Sequence, residues 1–153
     1  MPYNLAMFEI KRIDPLDYSE QLIELSKVWA KEDITNGLVP NDNSDLKEPC
    51  FVAFSEGRIV GYTFGHFYEA EKKVNTITPG SKCFELDEIY VLKEHRNKGI
   101  GKRLFQEIEK EAKKEAEYIT LPTSTKDYKR ILHFYIEEMD MTFHSAFLYK
   151  KVD

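Results

Sequence analysis

A turn rich in glycine and basic residues is the part of this sequence best suited to chemistry. Residues 96–102 are Arg-Asn-Lys-Gly-Ile-Gly-Lys, and they stand between an apolar, strand-like stretch and an amphipathic, helix-like stretch. Glycine leaves the backbone open to a ligand, and the first turn of a helix points unpaired N–H groups and a positive dipole end at one place. The turn therefore predicts a phosphate or pyrophosphate site. The alternative is a solvated, basic helix start whose glycines serve only the turn.

The spacing of this turn differs from two common nucleotide motifs. A P-loop requires a glycine where Arg96 stands and a serine or threonine where Arg103 stands. A dinucleotide-binding fingerprint requires a third glycine at the position of Leu104. The turn is therefore neither of these motifs.

Three acidic residues, Glu85, Asp87 and Glu88, precede the turn in a strand-like stretch. In a regular strand Glu85 and Asp87 share one face with Ile89 and Val91. The alternation slips after Asp87, which predicts a β-bulge, and Glu88 joins the acidic face only if that bulge forms. Carboxylates here could accept a proton from an amine or bind a cation; alternatively, they form a solvent-facing acidic edge.

The elements that position these residues follow from periodicity and turn residues. A hairpin followed by a βαβ unit predicts an α/β fold: a mixed, mostly antiparallel, twisted sheet of six or seven strands with helices on both faces. The predicted strands are 8–13, 50–54, 58–68, 84–92, 118–121 and 143–152, the predicted helices are 16–31, 99–116 and 127–139, and 33–49 is a loop with at most a short helical piece.

Bulk properties narrow the class of protein. The chain of 153 residues, with 42% hydrophobic residues, predicts one domain over residues 1–153. Its net charge of −5 argues against general nucleic-acid binding, and no stretch approaches the roughly 18 apolar residues of a membrane span. The charged N-terminus lacks a signal-peptide layout, so we expect a cytoplasmic protein. Cys50 and Cys83 are expected to be reduced core thiols, and the histidines show no metal-ligand spacing.

Residues 86–101 resemble the acyl-CoA-binding motif of the GNAT N-acetyltransferases, in which Arg or Gln is followed by two residues, Gly, one residue, and Gly or Ala. Arg96, Gly99 and Gly101 match its fixed positions. The resemblance implies the GNAT fold over nearly the whole chain and direct transfer of acetyl from acetyl-CoA to a primary amine, with no metal. It also implies that the turn binds the coenzyme's pyrophosphate and that the preceding strand pairs with its pantetheine arm. The coenzyme-binding residues so implied are Ile89, Tyr90, Val91, Arg96, Asn97, Lys98, Gly99, Ile100, Gly101 and Lys102.

The same resemblance implies catalytic roles. In several family members a base lies six residues before the coenzyme-contacting valine, which is Val91 here, and this position is Glu85; Asp87 lies on the same face and closer to the thioester. Phe134 and Tyr135 resemble the family's aromatic–tyrosine pair, whose tyrosine protonates the departing thiolate. The alternative for Tyr135 is a core residue at helical spacing.

The acceptor is predicted only as a chemical class. Acidic residues in the loops that could contact it suggest a cationic small molecule such as a polyamine or aminoglycoside, although a solvated acidic loop explains them nearly as well. Two other functions stay open, a non-catalytic acyl-CoA-binding module and a protein or peptide N-acetyltransferase. The final strand could serve as a sheet edge in a homodimer. The acidic loop residues are Glu32, Asp33, Asp42, Asp45 and Glu48.

Overall fold

The computed structural model describes residues 7–153. Its regular elements follow the predicted order up to residue 139. The strands are β1 (Glu9–Ile13), β2 (Cys50–Ser55), β3 (Arg58–Glu69), β4 (Lys82–Val91) and β5 (Tyr118–Thr120), and the α-helices are α1 (Ser19–Glu32), α2 (Ile100–Ala112) and α3 (Tyr128–His133). Short 3₁₀ turns cover Pro15–Tyr18, Asn43–Asp45 and Lys93–His95, and a π-helical segment, Phe134–Glu138, continues α3.

The strands form one mixed sheet in the order β1-β2-β3-β4-β5. The first four strands are antiparallel to their neighbours, and β5 is parallel to β4. This arrangement confirms the predicted mixed α/β class. The expected number of six or seven strands was too high, because residues 7–153 contain five.

The predicted strand at 143–152 is the missing element. These residues form no ladder with any strand in the described part of the chain, and their side chains are exposed. Alternating apolar residues favour an extended backbone, but a strand also requires a neighbouring edge to complete its hydrogen bonds. The prediction was therefore wrong for this segment, which pairs with no strand edge among residues 7–153.

Helices cover both faces of the sheet and divide the core into two clusters. On one face, Leu22 and Leu25 of α1 pack with residues of β2, β3 and β4. On the other face, α2 inserts an apolar stripe at helical spacing against the same strands. The buried stripe of α2 consists of Ile100, Leu104, Phe105, Ile108 and Ala112. The two cysteines are buried and free, as expected.

The predicted bulge is present in β4. In the ladder with β3, Phe64 pairs with Glu88 and Gly65 pairs with Leu86, so Asp87 is the extra residue. Gly65 is required here, because a Cβ atom on it would lie 2.1 Å from the carbonyl oxygen of Glu85. The slip in alternation after Asp87 is thus a real change of register.

The bulge changes which side chains share a face. Leu86 before it and Ile89 and Val91 after it all pack against the α2 cluster. The expectation that Ile89 and Val91 share a face with Glu85 was wrong, because the extra residue reverses the alternation. Glu88 joins the face that carries Glu85, as expected if the bulge forms; this is the α1 face, where the Tyr62 hydroxyl donates to Glu88.

No helix in the described part of the chain is long and apolar enough to cross a membrane.

Candidate active site

Strand β4 has an open edge along its second half. It pairs with β5 only over Cys83–Glu85, so residues 86–91 have no strand on that side within residues 7–153. The N–H of Leu92 donates to the carbonyl of Val60 at 2.9 Å. Along an antiparallel ladder, residues that bond the neighbouring strand alternate with residues that do not, so every second residue back from Leu92 bonds β3 and the residues between them do not. The backbone groups of Ile89 and Val91 therefore point away from β3, into the gap between β4 and β5.

The glycine turn opens α2 at the end of this gap. Asn97 and Gly99 have positive φ angles of 63° and 85°, and the first backbone bond of the helix runs from the N–H of Arg103 to the carbonyl of Gly99. The N–H groups of residues 97–102 donate to no backbone carbonyl within residues 7–153. This group of free donors at a helix N-terminus is suited to bind a phosphate.

Gly101 lies beside Phe134 and Val91. A Cβ atom at this position would lie 3.9 Å from Cζ of Phe134 and 4.0 Å from Cγ2 of Val91, which are ordinary contact distances. The protein itself therefore has room for a methyl group here. The same contacts show that the end of β4, the first turn of α2 and the start of the π-helical segment lie next to one another.

Arg96 holds the turn in place through its side chain. Its Nε donates to the carbonyl oxygen of Val91 at 2.9 Å, and its Nη2 contacts Oε1 of Glu32 at 2.8 Å. The guanidinium also lies 5.5 Å from the ring centre of Tyr90, whose hydroxyl donates to the same carboxylate. Positive charge that could reach a ligand comes instead from Lys98 and Lys102, which are exposed and form no ion pair within residues 7–153.

Tyr90, one of the implied coenzyme contacts, lies in the core. Its side chain is 4% exposed and stacks on Trp29 with ring centres 4.9 Å apart. Its backbone faces β3 through the register with Tyr62. The side chain thus supports the strand from the α1 face and does not face the gap.

His66 joins the acidic face of β4. It lies opposite Glu85 in the β3–β4 register, and its Nδ1 is 2.7 Å from Oδ2 of Asp87. Ligand atoms of His66, Glu85 and Asp87 all lie within 4.8 Å of one another, so these side chains could share a proton or hold a cation. Burial, followed by hydrogen bonding and repulsion from Asp87, raises the pKa of Glu85 above its ordinary value. Sequence reasoning missed His66, because only the strand register brings it here.

Glu88 is the most enclosed of the three acids. Its Oε1 accepts hydrogen bonds from the Tyr62 hydroxyl at 2.7 Å and from Asn41 Nδ2 at 2.9 Å. Burial raises the pKa of Glu88, although both hydrogen bonds act in the opposite direction. Asn41 belongs to loop 33–49, so this loop forms a wall beside the acidic face.

Most of the acidic residues in loop 33–49 serve local structure. Asp33 pairs with Lys126 at 2.8 Å. Asp42 and Asp45 form a capping box around the short 3₁₀ turn, and the hydrogen bonds from Ser44 lower the pKa of Asp42. These three acids form contacts within the loop or with Lys126, whereas Glu85, Asp87 and Glu88 form no lysine or arginine ion pair within residues 7–153.

Tyr135 lies in the π-helical segment, a helix irregularity that is frequent at functional sites. It is 8% exposed, and its ring centre is 6.2 Å from that of Phe105 and 5.3 Å from that of Phe134. Its hydroxyl has no side-chain hydrogen-bond partner within residues 7–153, and the oxygen is not fully enclosed. Burial raises the pKa of Tyr135 to about 12. The phenol is thus a neutral, unpaired donor.

Solved structures with a similar fold are numerous, and three are informative. An aminoglycoside acetyltransferase from an uncultured soil metagenomic sample has a TM-score of 0.68 at 19% identity, covering 96% of this chain and 97% of that one. Aminoglycoside N-acetyltransferase AAC(6')-Iy, solved with CoA, has a TM-score of 0.65 at 17% identity, covering 95% and 99%. A ribosomal-protein-alanine N-acetyltransferase from Brucella melitensis biovar Abortus 2308 has a TM-score of 0.64 at 18% identity, covering 95% and 99%.

At these identities the likeness concerns the fold. No curated protein matches the sequence. The family is shown by a different comparison, in which the model of the acetyltransferase (GNAT) family matches residues 10–141. With the sheet, the open edge of β4 and the glycine turn in the expected places, the chain belongs to the GNAT family of acetyltransferases.

Proposed function

We propose that this protein transfers the acetyl group of acetyl-CoA to a primary amine of a small, cationic acceptor. The observation that carries the proposal is that β4 borders both parts of the site. Its acidic residues at 85–88 lie on the α1 face, and its open edge at 89–91 leads into the glycine turn. At about 3.3 Å per residue, Asp87 lies roughly 13 Å along the strand from Val91. An acyl carrier bound along the edge thus brings its acyl group towards the acids.

The turn and the strand edge would hold the coenzyme. Free N–H groups of Ile100, Gly101 and Lys102 would bind the pyrophosphate, and the ammonium groups of Lys98 and Lys102 would add charge. The outward backbone groups of Ile89 and the outward N–H of Val91 would pair with the pantetheine amides as an added strand does, while the Val91 carbonyl accepts from Arg96 Nε. When bound, acetyl-CoA supplies an activated acyl thioester. In this arrangement Arg96 and Tyr90 support the turn from behind.

The acidic face would prepare the amine. An ammonium group must lose a proton before its nitrogen can attack, and Glu85 or Asp87 would accept that proton, directly or through water. The raised pKa of Glu85 makes its carboxylate a stronger base than an ordinary one. His66 contacts Asp87 at 2.7 Å and fixes the orientation of that carboxylate.

Tyr135 would stabilise the sulfur that departs. Its pKa of about 12 keeps the phenol protonated at neutral pH, and its hydroxyl is free to donate. A thiolate has an ordinary pKa of about 8.5, so complete proton transfer from this phenol is uphill in the resting site. We therefore assign Tyr135 as a hydrogen-bond donor to the developing thiolate, a role that lowers the barrier without requiring a free phenolate.

The acceptor class follows from the charge of the same face. Glu85, Asp87 and Glu88 lie together without a lysine or arginine ion pair within residues 7–153, which favours a ligand carrying more than one positive charge. Two of the three solved structures described above are aminoglycoside acetyltransferases, which supports a polyamine or aminoglycoside acceptor over a neutral amino acid.

A thiol-release assay with acetyl-CoA and a panel of amines tests the proposal. The panel contains a polyamine, the aminoglycoside sisomicin, neutral amino acids and a peptide with an N-terminal alanine. We expect the highest kcat/KM with the polycations. A preference for the peptide or the neutral amino acids would contradict the acceptor class. Binding of acetyl-CoA without turnover on any amine would instead support a non-catalytic module.

The base is tested by a matched pair of variants in the same assay. We expect Glu85→Gln or Asp87→Asn, whichever removes the base, to lower kcat/KM by about 10- to 100-fold while leaving acetyl-CoA affinity unchanged. Glu71→Gln, at an exposed position between β3 and β4, serves as the control. Equal activity of all three variants would contradict the role of the acidic face.

A further inference from the structure

His66 places a nitrogen base within the acidic face of β4. It lies opposite Glu85 in the β3–β4 register, and its Nδ1 is 2.7 Å from Oδ2 of Asp87. A hydrogen bond from one imidazole nitrogen to a carboxylate fixes the tautomer and the orientation of a histidine that exchanges protons. The pair therefore has two members that could receive a proton from an amine.

The contact with Asp87 decides which ring nitrogen of His66 carries the lone pair. An ionised carboxylate only accepts hydrogen bonds, so a neutral imidazole satisfies this contact when Nδ1 carries the hydrogen. Nε2 then keeps its lone pair. Nε2 has no hydrogen-bond partner within residues 7–153, and it is not enclosed. The structure thus leaves a basic nitrogen open to a ligand on this face.

The imidazole is also more accessible than the carboxylate that it contacts. The side chain of His66 is 38% exposed, whereas that of Asp87 is 17% exposed. The ring centre of Tyr68 lies 6.0 Å from that of His66, so the neighbour of the imidazole along β3 carries an uncharged phenol. An amine that approaches from solvent therefore reaches Nε2 more readily than it reaches the Asp87 carboxylate.

Base strength favours the imidazole in the same direction. Imidazole has an ordinary pKa of about 6.5 and a carboxylic acid one of about 4, so imidazole holds a proton taken from an ammonium group more firmly. The positive charge that forms on the ring is stabilised by Asp87 at 2.7 Å and by Glu85, whose carboxylate oxygen lies within 4.8 Å of the cluster's other ligand atoms. Both carboxylates thus assist a proton transfer that ends on the ring.

We propose that His66 is the catalytic base and that Asp87 is a positioning residue that acts through it. The inference rests on the proposed function and refines one step of it, because the carboxylates assist and the imidazole takes the proton. The ammonium group gives one proton to Nε2. The nitrogen lone pair attacks the thioester carbonyl carbon, the carbon–sulfur bond breaks with its electron pair on sulfur, and the second proton of the nitrogen passes through water to the thiolate. The imidazolium then returns its proton to solvent.

The tautomer of His66 tests the proposal without any acceptor. In protein labelled with ¹⁵N at histidine, long-range ¹H–¹⁵N correlations distinguish Nδ1–H from Nε2–H, and the signals missing from His66→Asn identify this ring. At about pH 9, where an ordinary imidazole is neutral, we expect the Nδ1–H form, and we expect Asp87→Ala to shift it towards the Nε2–H form that unconstrained histidine favours. A wild-type His66 in the Nε2–H form would overturn the proposal, because the accessible nitrogen would have no lone pair.

Matched variants separate a base from a positioning residue. Asparagine carries an amide N–H at the place of Nδ1, so His66→Asn keeps a donor for Asp87 but has no base. We expect His66→Asn and His66→Ala to lose at least about 100-fold in kcat/KM alike, with acetyl-CoA affinity unchanged. His144→Ala, at an exposed histidine, is the control and keeps full activity. Activity near that of the wild type in His66→Asn would refute the base, since a hydrogen bond to Asp87 would then suffice.

Chemical rescue of His66→Ala gives an independent measurement. Because the native side chain is 38% exposed, a small azole can enter the space that it leaves. We expect imidazole to raise the activity of this variant at least about tenfold, and we expect 1,2,4-triazole, an N–H donor but a much weaker base, to raise it little. Equal rescue by both azoles, or by neither, would overturn the proposal. A wild-type chain that acetylates no amine would contradict the proposed function instead, whereas an active wild type with an active His66→Asn would contradict this inference alone.

Discussion

Strand β4 joins two regions that favour ligand groups of opposite charge. The turn at 96–102 presents backbone N–H groups and two exposed lysines to an anion. The acidic face presents the side chains of Glu85, Asp87 and Glu88, with His66 beside them, to a cation. The turn is built from neighbours in sequence, whereas the acidic face is assembled from two strands whose register is set by a bulge.

The difference teaches where each region is vulnerable. The turn depends on backbone conformation and on the absence of side chains at its glycines. Ligand binding there is therefore lost when a larger side chain occupies a glycine position. The acidic face depends on strand register and on burial of charge, so it fails when the bulge is lost or a carboxylate is neutralised. The following variants test this contrast.

Gly65→Ala is expected to have the largest effect. The new Cβ would lie 2.1 Å from the Glu85 carbonyl, so the bulge must shift, and we expect a loss of about 2–4 kcal/mol in unfolding free energy. Urea unfolding measures the loss. Gly101→Ala is the control, since its nearest neighbours lie at 3.9 Å or more and its stability should be unchanged or slightly raised. Equal stability of both variants would show that the bulge does not depend on Gly65.

Gly101→Leu should weaken acetyl-CoA binding without unfolding the protein. A Cβ atom fits beside Phe134 and Val91 at ordinary contact distance, and the rest of the leucine side chain would extend over the turn that the coenzyme would need. We expect at least about a 100-fold rise in the dissociation constant, equivalent to about 2.7 kcal/mol, measured by calorimetry. Gly101→Ala should give a smaller rise. Unchanged affinity in the leucine variant would place the coenzyme elsewhere.

Tyr135→Phe separates catalysis from packing. Because the hydroxyl has no partner within residues 7–153, its removal should leave the unfolding free energy and acetyl-CoA affinity nearly unchanged. We expect kcat to fall about 10- to 100-fold. Tyr128→Phe, at an exposed tyrosine on α3, should keep full activity. A matching fall in affinity and kcat for Tyr135→Phe would instead indicate a core residue.

The Arg96–Glu32 pair tests whether Arg96 stabilises the turn through its contact with Glu32. Both side chains are about one-fifth exposed, so the pair is partly screened, and a double-mutant cycle with Arg96→Gln and Glu32→Gln should give a coupling energy of about 1–2 kcal/mol. Urea unfolding of the four proteins measures it. Zero coupling combined with a loss of acetyl-CoA affinity in Arg96→Gln alone would assign the guanidinium to the phosphate.

Glu88→Gln probes the buried charge of the acidic face. Since burial raises the pKa of Glu88 in the folded protein, wild-type stability is lost, relative to the variant, as pH rises through that pKa. Well below about pH 4 the carboxyl is protonated in both folded and unfolded chains, so the difference between wild type and variant no longer changes with pH. As pH rises towards neutral, the unfolding free energy of Glu88→Gln should increase relative to that of the wild type. A difference for Glu88→Gln that stays constant with pH would contradict the raised pKa.

Local features of this protein could be predicted from sequence, and distant pairings could not. The turn, the helices and the bulge after Asp87 each leave a pattern in neighbouring residues. The contact of His66 with Asp87, 21 positions apart, and of Arg96 with Glu32, 64 positions apart, depends on register and packing. The predicted last strand failed for the same reason, since alternation reports a preference for extended backbone and carries no information about a partner edge.

The central claim is that the α2 turn and the open edge of β4 bind acetyl-CoA. Amide chemical-shift changes in ¹⁵N-labelled protein on addition of acetyl-CoA test it most directly. We expect the largest changes at Gly99, Ile100, Gly101 and Lys102, with further changes at Ile89 and Val91. Changes confined to other parts of the molecule, or none at saturating acetyl-CoA, would contradict the account.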